Sequence, residues 1–501
     1  MAEKVGAQVL KDGGNAVDAL VAAALTAAVA APHQTGIGGY GGHMIVALKN
    51  GEKIRAIDFN SAAPAAARQD MFAPDKTGKV KDTANQWGWL AAGVPGVLAG
   101  MQLALDRHGT RSFRESVGPA IDFAGKGIAL TAADVARLQG CSKQFQTDEG
   151  SRKLYLGDAP SLTAGATFRN ADLAAMLGTL AERNSVDSFY RGDIAQRIAD
   201  AFEKHGGIVT AKDLASYQAR EVEPLGFAWH GFDVRTAPLT SGGLTILQAL
   251  TILRDLEWEK IPANFARTHA RIEALRFAWN DRLRLLGDPE KTEVPVAKLL
   301  SAEYASEAAE QIRRVMKAGT IVPLRTDSRN QSGTIHLSAV DHDGNMAACT
   351  LTHGDSFGAR VTVDGIGLTL GHGMSRFDPR PNHPNSPGPD KRPLHNMCPT
   401  IVLRDGHPIM ALGARGGRLI PNAVFEVLAQ FVGLGKDMTA AIAAPRIHTD
   451  GNATVQFEKP WPEEEAAAAA RIGYVVKTGG AATVSAVSFD PRSGECRVAV
   501  R

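Results

Sequence analysis

Four tight-turn signals constrain this 501-residue chain more than anything else in it. Asn-Gly and Asp-Gly dipeptides accept the positive φ angles of short hairpins, and here such turns separate apolar, strand-prone runs. Residues 44–48 and 53–59 flank Asn50-Gly51, and residues 335–340 and 346–352 flank Asp343-Gly344-Asn345. Residues 400–403 and 408–412 flank Asp405-Gly406, and residues 484–489 and 496–500 flank the turn 490–494. The spacing predicts β-hairpins near both ends of the chain. Between them, apolar residues recur at helical spacing in 120–126, 194–204, 244–253, 269–286 and 302–317. Segments 19–31 and 424–432 are apolar around most of their circumference, which predicts helices buried between layers. Early and late hairpins with helices between them predict an α/β or α+β layered domain. Residues 379–393 contain six prolines and predict a loop that forms a lid or wall of a site.

Composition removes several classes of function. Fifty-five basic against fifty-three acidic residues leave a formal charge of +2, so no net field favours nucleic acid or an anionic membrane. Cys141, Cys349, Cys398 and Cys496 are scattered with no C-x-x-C pair, which argues against a disulfide scaffold and structural zinc. The apolar run 19–31 falls short of the roughly 20 residues a bilayer requires, so no membrane span is expected. Glu3, Lys4 and Lys11 interrupt the first dozen residues, and no signal peptide is expected there.

Three segments carry candidate chemistry. Gly36-Ile37-Gly38-Gly39-Tyr40-Gly41 satisfies G-x-G-x-x-G, but a helix precedes it and a strand follows, the reverse of a dinucleotide site. Close backbone approach is the alternative reason for its glycines. In Ser332-Gly333-Thr334-Ile335-His336, a small pair precedes a strand whose hairpin register sets Thr334 opposite Thr352. A chain cut before Thr334 would carry a hydroxyl and a new α-amine on one residue. With an unperturbed pKa of about 7.7–8.0, such an amine accepts a proton near neutral pH. Opposed threonines are also ordinary sheet formers. Gly413-Ala414-Arg415-Gly416-Gly417 lies between a strand and a helix, where backbone amides can converge on an oxyanion or simply form a tight turn. The histidines at 336, 353, 372 and 395 are too loosely spaced for a zinc motif.

These segments occur in order with others. Gly13-Gly14-Asn15-Ala16-Val17-Asp18-Ala19, Pro32-His33, Ala63-Pro64-Ala65 and Gly93-Val94-Pro95-Gly96 come early. Ser241-Gly242-Gly243, Asn280-Asp281-Arg282 and Gly287-Asp288-Pro289 follow, before Thr334-Ile335-His336-Leu337-Ser338. Over nearly its whole length the chain resembles the gamma-glutamyltransferase family of N-terminal-nucleophile hydrolases. The resemblance implies a four-layer αββα sandwich and self-cleavage between Gly333 and Thr334. Fragments 1–333 and 334–501 would remain associated as one folded unit. It further implies Thr334 as nucleophile, Thr352 as its support, and the amides of Gly416 and Gly417 as an oxyanion hole. An acyl-enzyme ester would pass its acyl group to water or an amine, with no metal or organic cofactor. Export to the periplasm or exterior is implied by resemblance alone.

The substrate reader departs from the family pattern. Where the family grips the glutamyl α-carboxylate with an arginine before Glu-x-Ala-Pro, this chain has Asn60-Ser61-Ala62-Ala63-Pro64. Met374-Ser375-Arg376-Phe377 replaces Met-Asp-Asp-Phe, whose acid meets the α-ammonium, and His395-Asn396-Met397 replaces Ser-Ser-Met. Gly354 replaces an asparagine two residues after the supporting threonine. Charged hydrogen bonds contribute about 1.5–3 kcal/mol each, so these exchanges bear on specificity more than on fold. The sequence thus predicts an amidohydrolase for a gamma-glutamyl or related acyl amide. The alternatives are a divergent acylase, such as an oxamate amidohydrolase-like enzyme, and an unprocessed, silent binding or structural homologue. Asn60, Arg376, Arg392, His395 and Asn396 are the candidate pocket residues, with loop bracing as the competing role.

Overall fold

The computed structural model describes residues 1–157, 163–324 and 333–501, so Ser332 of the nucleophile segment lies outside the described residues. All four predicted hairpins form and fall into two antiparallel sheets. The principal strands are β1 (Gly41–Leu48), β2 (Lys53–Asp58), β3 (Arg220–Val222), β4 (Leu225–Trp229) and β5 (Phe232–Thr236). They continue with β6 (Ile335–Val340), β7 (Met346–Thr352), β8 (Thr400–Arg404), β9 (His407–Arg415), β10 (Thr483–Phe489) and β11 (Cys496–Val500). The first sheet runs β3-β2-β1-β7-β6 and the second β11-β10-β9-β8-β5-β4. Each sheet therefore mixes strands from both sides of Gly333. Gly41 pairs with Thr352 across β1 and β7, and Thr236 pairs with Thr400 across β5 and β8.

Strand periodicity builds the layers, because successive side chains leave opposite faces. Met44 and Val46 of β1 enter a helix-side core, whereas Ile45 and Ala47 enter the seam between the sheets. There they join Met346 and Ala348 of β7 and meet Ile401, Leu403, Ala411 and Val487 of the second sheet. On the outer face of the first sheet lie α1 (Ala16–Ala30), α2 (Val97–His108), α3 (Phe113–Lys126) and α4 (Ala171–Arg183). The second sheet is covered by α5 (Gly243–Asp255), α6 (Phe265–Leu285), α7 (Ala302–Ala318) and α8 (Leu419–Leu428). The result is the αββα sandwich the resemblance implied.

Helix α1 shows why the Gly-Gly-Asn-Ala-Val-Asp segment reads as it does. The Asn15 side chain accepts the Val17 and Asp18 N–H groups, and Asp18 accepts the Asn15 N–H at 2.9 Å, a reciprocal cap. Asp18 is buried, yet it also accepts from Thr110 and Arg111, so its charge is fully engaged. Every residue from Ala16 to Val29 is buried, and each large apolar side chain there contributes about 1.5–3 kcal/mol. Asp341, in the turn between β6 and β7, accepts the Ala16 N–H at 3.0 Å and fixes this helix to the β6–β7 hairpin. Helix α3 starts earlier than its apolar spacing predicts, because Ser112 and Glu115 form another reciprocal cap. The predicted helix 424–432 is α8 followed by a widened π-turn over Ala429–Gly433.

Candidate active site

The β6–β7 register pairs Ile335 with Leu351 and His336 with Thr350, which sets Thr334 against Thr352 as the hairpin arithmetic predicts. Ile335 and Leu337 turn toward the helical core, so Thr334, His336 and Ser338 face the second sheet. The two threonine Oγ1 atoms are 3.5 Å apart. Both hydroxyls meet the carbonyl oxygen of Gly333: Thr334 donates to it directly, and Thr352 donates from 2.7 Å. The Gly354 N–H donates to the Thr352 oxygen at 2.7 Å, which leaves the Thr352 proton for Gly333. Gly333 has φ +80°, and a Cβ there would stand 3.1 Å from the Asp355 backbone, so glycine is required at this position.

His336, two residues beyond Thr334, is spent on structure. Its Nδ1 pairs with Thr350 at 2.7 Å and its Nε2 with Ser338 at 2.9 Å. A Cβ on Gly413 would lie 2.3 Å from the ring, so the glycine of β9 makes room for it between the sheets. Burial depresses its pKa to about 3, and the ring is neutral.

Thr334 and Thr352 line a narrow recess with Tyr40, Arg376, Asn396, Met397, Gly417 and Ile420. Among the described residues that line it, Arg376 is the charged one, and it also lines two larger clefts of about 600 Å³ and 900 Å³. Burial pushes the Tyr40 phenol up to about 12, so it stays protonated. Gly416 and Gly417 have φ +137° and +62°, and their carbonyls accept the Leu419 and Ile420 N–H groups at the start of α8. Their own N–H groups have no hydrogen-bond partner among the described residues. Gly417 is in the recess with Thr334, and Gly416 lines the 900 Å³ cleft. The proline-rich loop is a wall: His383 and Asn385 line the 600 Å³ cleft, and Asn385 donates to the Arg376 carbonyl at 2.8 Å.

The remaining pocket candidates stand behind that wall. Asn60 is fully buried, and its amide nitrogen donates to Thr240 Oγ1 and the Pro393 carbonyl, both at 2.7 Å. Arg392 is paired with buried Asp58 at 2.6 Å, and Arg220 reaches the same carboxylate at 3.1 Å. These positions brace the cleft. Burial opposes the Asp58 charge, but the two guanidiniums hold its carboxyl well below the usual range. His395 accepts the Met397 N–H on Nδ1 at 3.2 Å, so its Nε2 carries the proton and donates to His43 Nδ1 at 2.8 Å. The protonated Nε2 of His43 then faces Asp58 at 3.4 Å. Burial holds His43 at a pKa of about 4 and His395 well below its ordinary value. The His43–His395 hydrogen bond, with Asp58 close behind His43, thus braces the segment that presents Asn396 and Met397.

Other segments used for recognition also prove to be braces. Arg282 donates to the His395 carbonyl at 2.5 Å and to the Ser241 carbonyl at 3.2 Å, joining two of them. In the glycine loop, a Cβ on Gly36 would lie 2.2 Å from His353 and one on Gly38 2.4 Å from the Thr369 carbonyl. Close backbone approach explains that loop. Sequence reasoning missed Tyr40, Met397, His43 and Asp58. Tyr40 and Met397 lie within named segments without having been assigned a role, whereas His43 and Asp58 carry no local signal. Among the described residues no group of three His, Cys, Asp or Glu could hold a metal, and no helix is long and apolar enough to cross a membrane.

Two facing sheets between helical layers, with a threonine at a glycine junction on the inner face, define an N-terminal-nucleophile amidohydrolase. The chain belongs to the gamma-glutamyltranspeptidase family, whose model matches residues 2–500. It is 36% identical to a glutathione hydrolase proenzyme of Pseudomonas sp. (strain A14), over 89% of this chain and 80% of that protein. It is 31% identical to an acylase ACY 1 proenzyme of Pseudomonas sp. (strain SE83), over 98% of this chain and 88% of that protein. The cephalosporin acylase of Bacillus halodurans superposes with a TM-score of 0.89 at 26% identity, over 100% of this chain and 92% of that one.

Proposed function

We propose that this chain matures by breaking its own Gly333–Thr334 bond and then cleaves acyl amides through Thr334. One observation carries the reading: the Thr334 and Thr352 hydroxyls converge on the Gly333 carbonyl oxygen. In maturation, Thr334 Oγ1 attacks the Gly333 carbonyl carbon and loses its proton. The C–N bond breaks as the nitrogen is protonated, which leaves an ester. Water hydrolyses that ester to a Gly333 carboxylate and a Thr334 with free hydroxyl and α-amine. Thr352 meets the oxyanion of this step, where one well-placed donor is worth about 10²–10³ in rate.

In turnover the Thr334 amine accepts the hydroxyl proton as Oγ1 attacks the substrate carbonyl, and the Gly416 and Gly417 N–H groups receive its oxyanion. The departing amine takes the proton. Water or an acceptor amine then resolves the threonyl ester. Fragments 1–333 and 334–501 act together, because strands of both complete each sheet.

The substrate is a gamma-glutamyl or related acyl amide. Arg376 favours the acylase reading, in which the acyl group carries a carboxylate without an α-ammonium, because among the described residues lining the recess the charged group is its guanidinium. Intact-mass analysis of the purified protein tests the processing claim. The 53.0 kDa chain should yield two fragments, the smaller beginning at Thr334, and Thr334→Ala should stay whole and inactive. A wild-type chain that stays whole and silent would instead be a binding or structural homologue.

A further inference from the structure

The Gly354 peptide carries no side chain and lies just beyond the end of β7, yet the Thr352 hydroxyl depends on its N–H for direction. The peptide that bears this N–H is held on one side, where the His353 carbonyl accepts the His372 N–H at 3.0 Å, and the glycine needs a second hold on its other side. Arg376 Nη2 donates to the Gly354 carbonyl oxygen. Arg376 is itself oriented by His372: the ring's Nδ1 faces the Gln86 carbonyl at 3.0 Å and so carries the proton, which leaves Nε2 as an acceptor 3.4 Å from Nη2. The guanidinium also sits over the Tyr40 ring, 5.9 Å from its centroid. Gly354 has φ +100°, and a Cβ there would stand 2.2 Å from His372 Cδ2 and 3.2 Å from Arg376 Nη2. The space beside residue 354 is therefore occupied by the ring and the guanidinium, and Gly354 and Arg376 form one arrangement.

We infer that Arg376 is a positioning residue for self-cleavage, acting through Gly354 to aim the Thr352 hydroxyl at the scissile carbonyl. This rests on the processing reading above and adds a role that ends before any substrate binds. The sequence of contacts runs from Gln86 to His372, Arg376, Gly354, Thr352 and the Gly333 oxygen. With Arg376 removed, the peptide that follows the glycine loses its tether, Gly354 keeps only the backbone bonds of His353 on its other side, and its N–H holds the Thr352 hydroxyl on its target less firmly. The loss should be a large part of what one oxyanion donor supplies, so conversion of precursor to fragments should slow by about tenfold or more.

The test follows precursor conversion by intact mass after pulsed synthesis in wild type, Arg376→Met and His372→Phe. Thermal melting is compared in the same variants placed on a Thr334→Ala background, where every chain stays whole. Arg376→Met keeps the side-chain stem, and it should melt near the Thr334→Ala parent while cleaving at least tenfold more slowly. Added methylguanidine should recover part of the rate, which a general packing defect would not allow. Wild-type cleavage rates in Arg376→Met overturn the inference while leaving the processing reading intact. An uncut wild-type chain removes both. Should Arg376→Met unfold, His372→Phe decides: it keeps the ring volume and should slow cleavage several-fold, and an unchanged rate overturns the inference.

Discussion

Arg392 and Asp58 face each other at 2.6 Å with almost no access to water. The guanidinium also donates to the Asp58 and Gln218 carbonyls, and the Arg392 N–H donates to Asp288 at 2.8 Å. Removing Arg392 leaves the buried Asp58 carboxylate with Arg220 at 3.1 Å as its remaining guanidinium and takes away the closer of its two ion pairs. Arg392→Ala on a Thr334→Ala background should therefore lose about 3–5 kcal/mol in urea unfolding, far more than a substrate-contact role would cause. A loss near zero would return Arg392 to the list of pocket residues.

Thr352 is expected to matter for its hydroxyl and not for its shape. Thr352→Val keeps the volume and should slow precursor cleavage by about 10²–10³, whereas Thr352→Ser should stay within about tenfold of wild type. Conversion timed by gel densitometry separates the two, and equal rates for valine and serine would remove Thr352 from the oxyanion role.

Buried neutral histidines make the fold acid-sensitive. His336, His353 and His372 are held by burial at pKa values of about 3, and His43 at about 4. Each folded value lies below the unfolded one of about 6.5, so the unfolded chain binds more protons in between. Their contribution is complete above about pH 6.5 and falls away as pH drops toward 4. His336→Asn should flatten the stability profile over that window by about 1.4 kcal/mol per pH unit, measured by urea titration of the uncut Thr334→Ala protein.

Arg376 beside Thr334 in the recess predicts a preference between two acids that differ only by an amine. Glutarate should inhibit the processed wild-type protein at least about tenfold better than glutamate, the fold-change that one charged contact of about 1.5–3 kcal/mol supplies. Inhibition of anilide hydrolysis gives both constants, and tighter glutamate binding would point to an unrecognised acid in the cleft.

The hairpins and the Thr334–Thr352 apposition were legible because pairing across a short turn is local arithmetic. Helix starts were less so: Ser112 and Asn264 cap helices through polar side chains, which apolar spacing ignores. Arg376 and Asn396 do reach the recess. Asn60, His395 and Arg392 occupy the positions that homology suggested, but distant partners claim their side chains. His395 bonds to His43, 352 residues away, and Arg392 to the carbonyl of Asp58, 334 residues away. No window along the chain contains both ends of such contacts, so their direction could not be read in advance.

The interleaving of strands from both sides of Gly333 would give the proposed backbone scission an unusual meaning. Neither product owns a whole sheet: the Gly41–Thr352 and Thr236–Thr400 ladders cross the divide. A break there would therefore uncover a chain end without releasing one. Pieces made separately would each expose an open sheet edge and half a seam, so activity should be recoverable from the joined precursor and not by mixing independently folded halves.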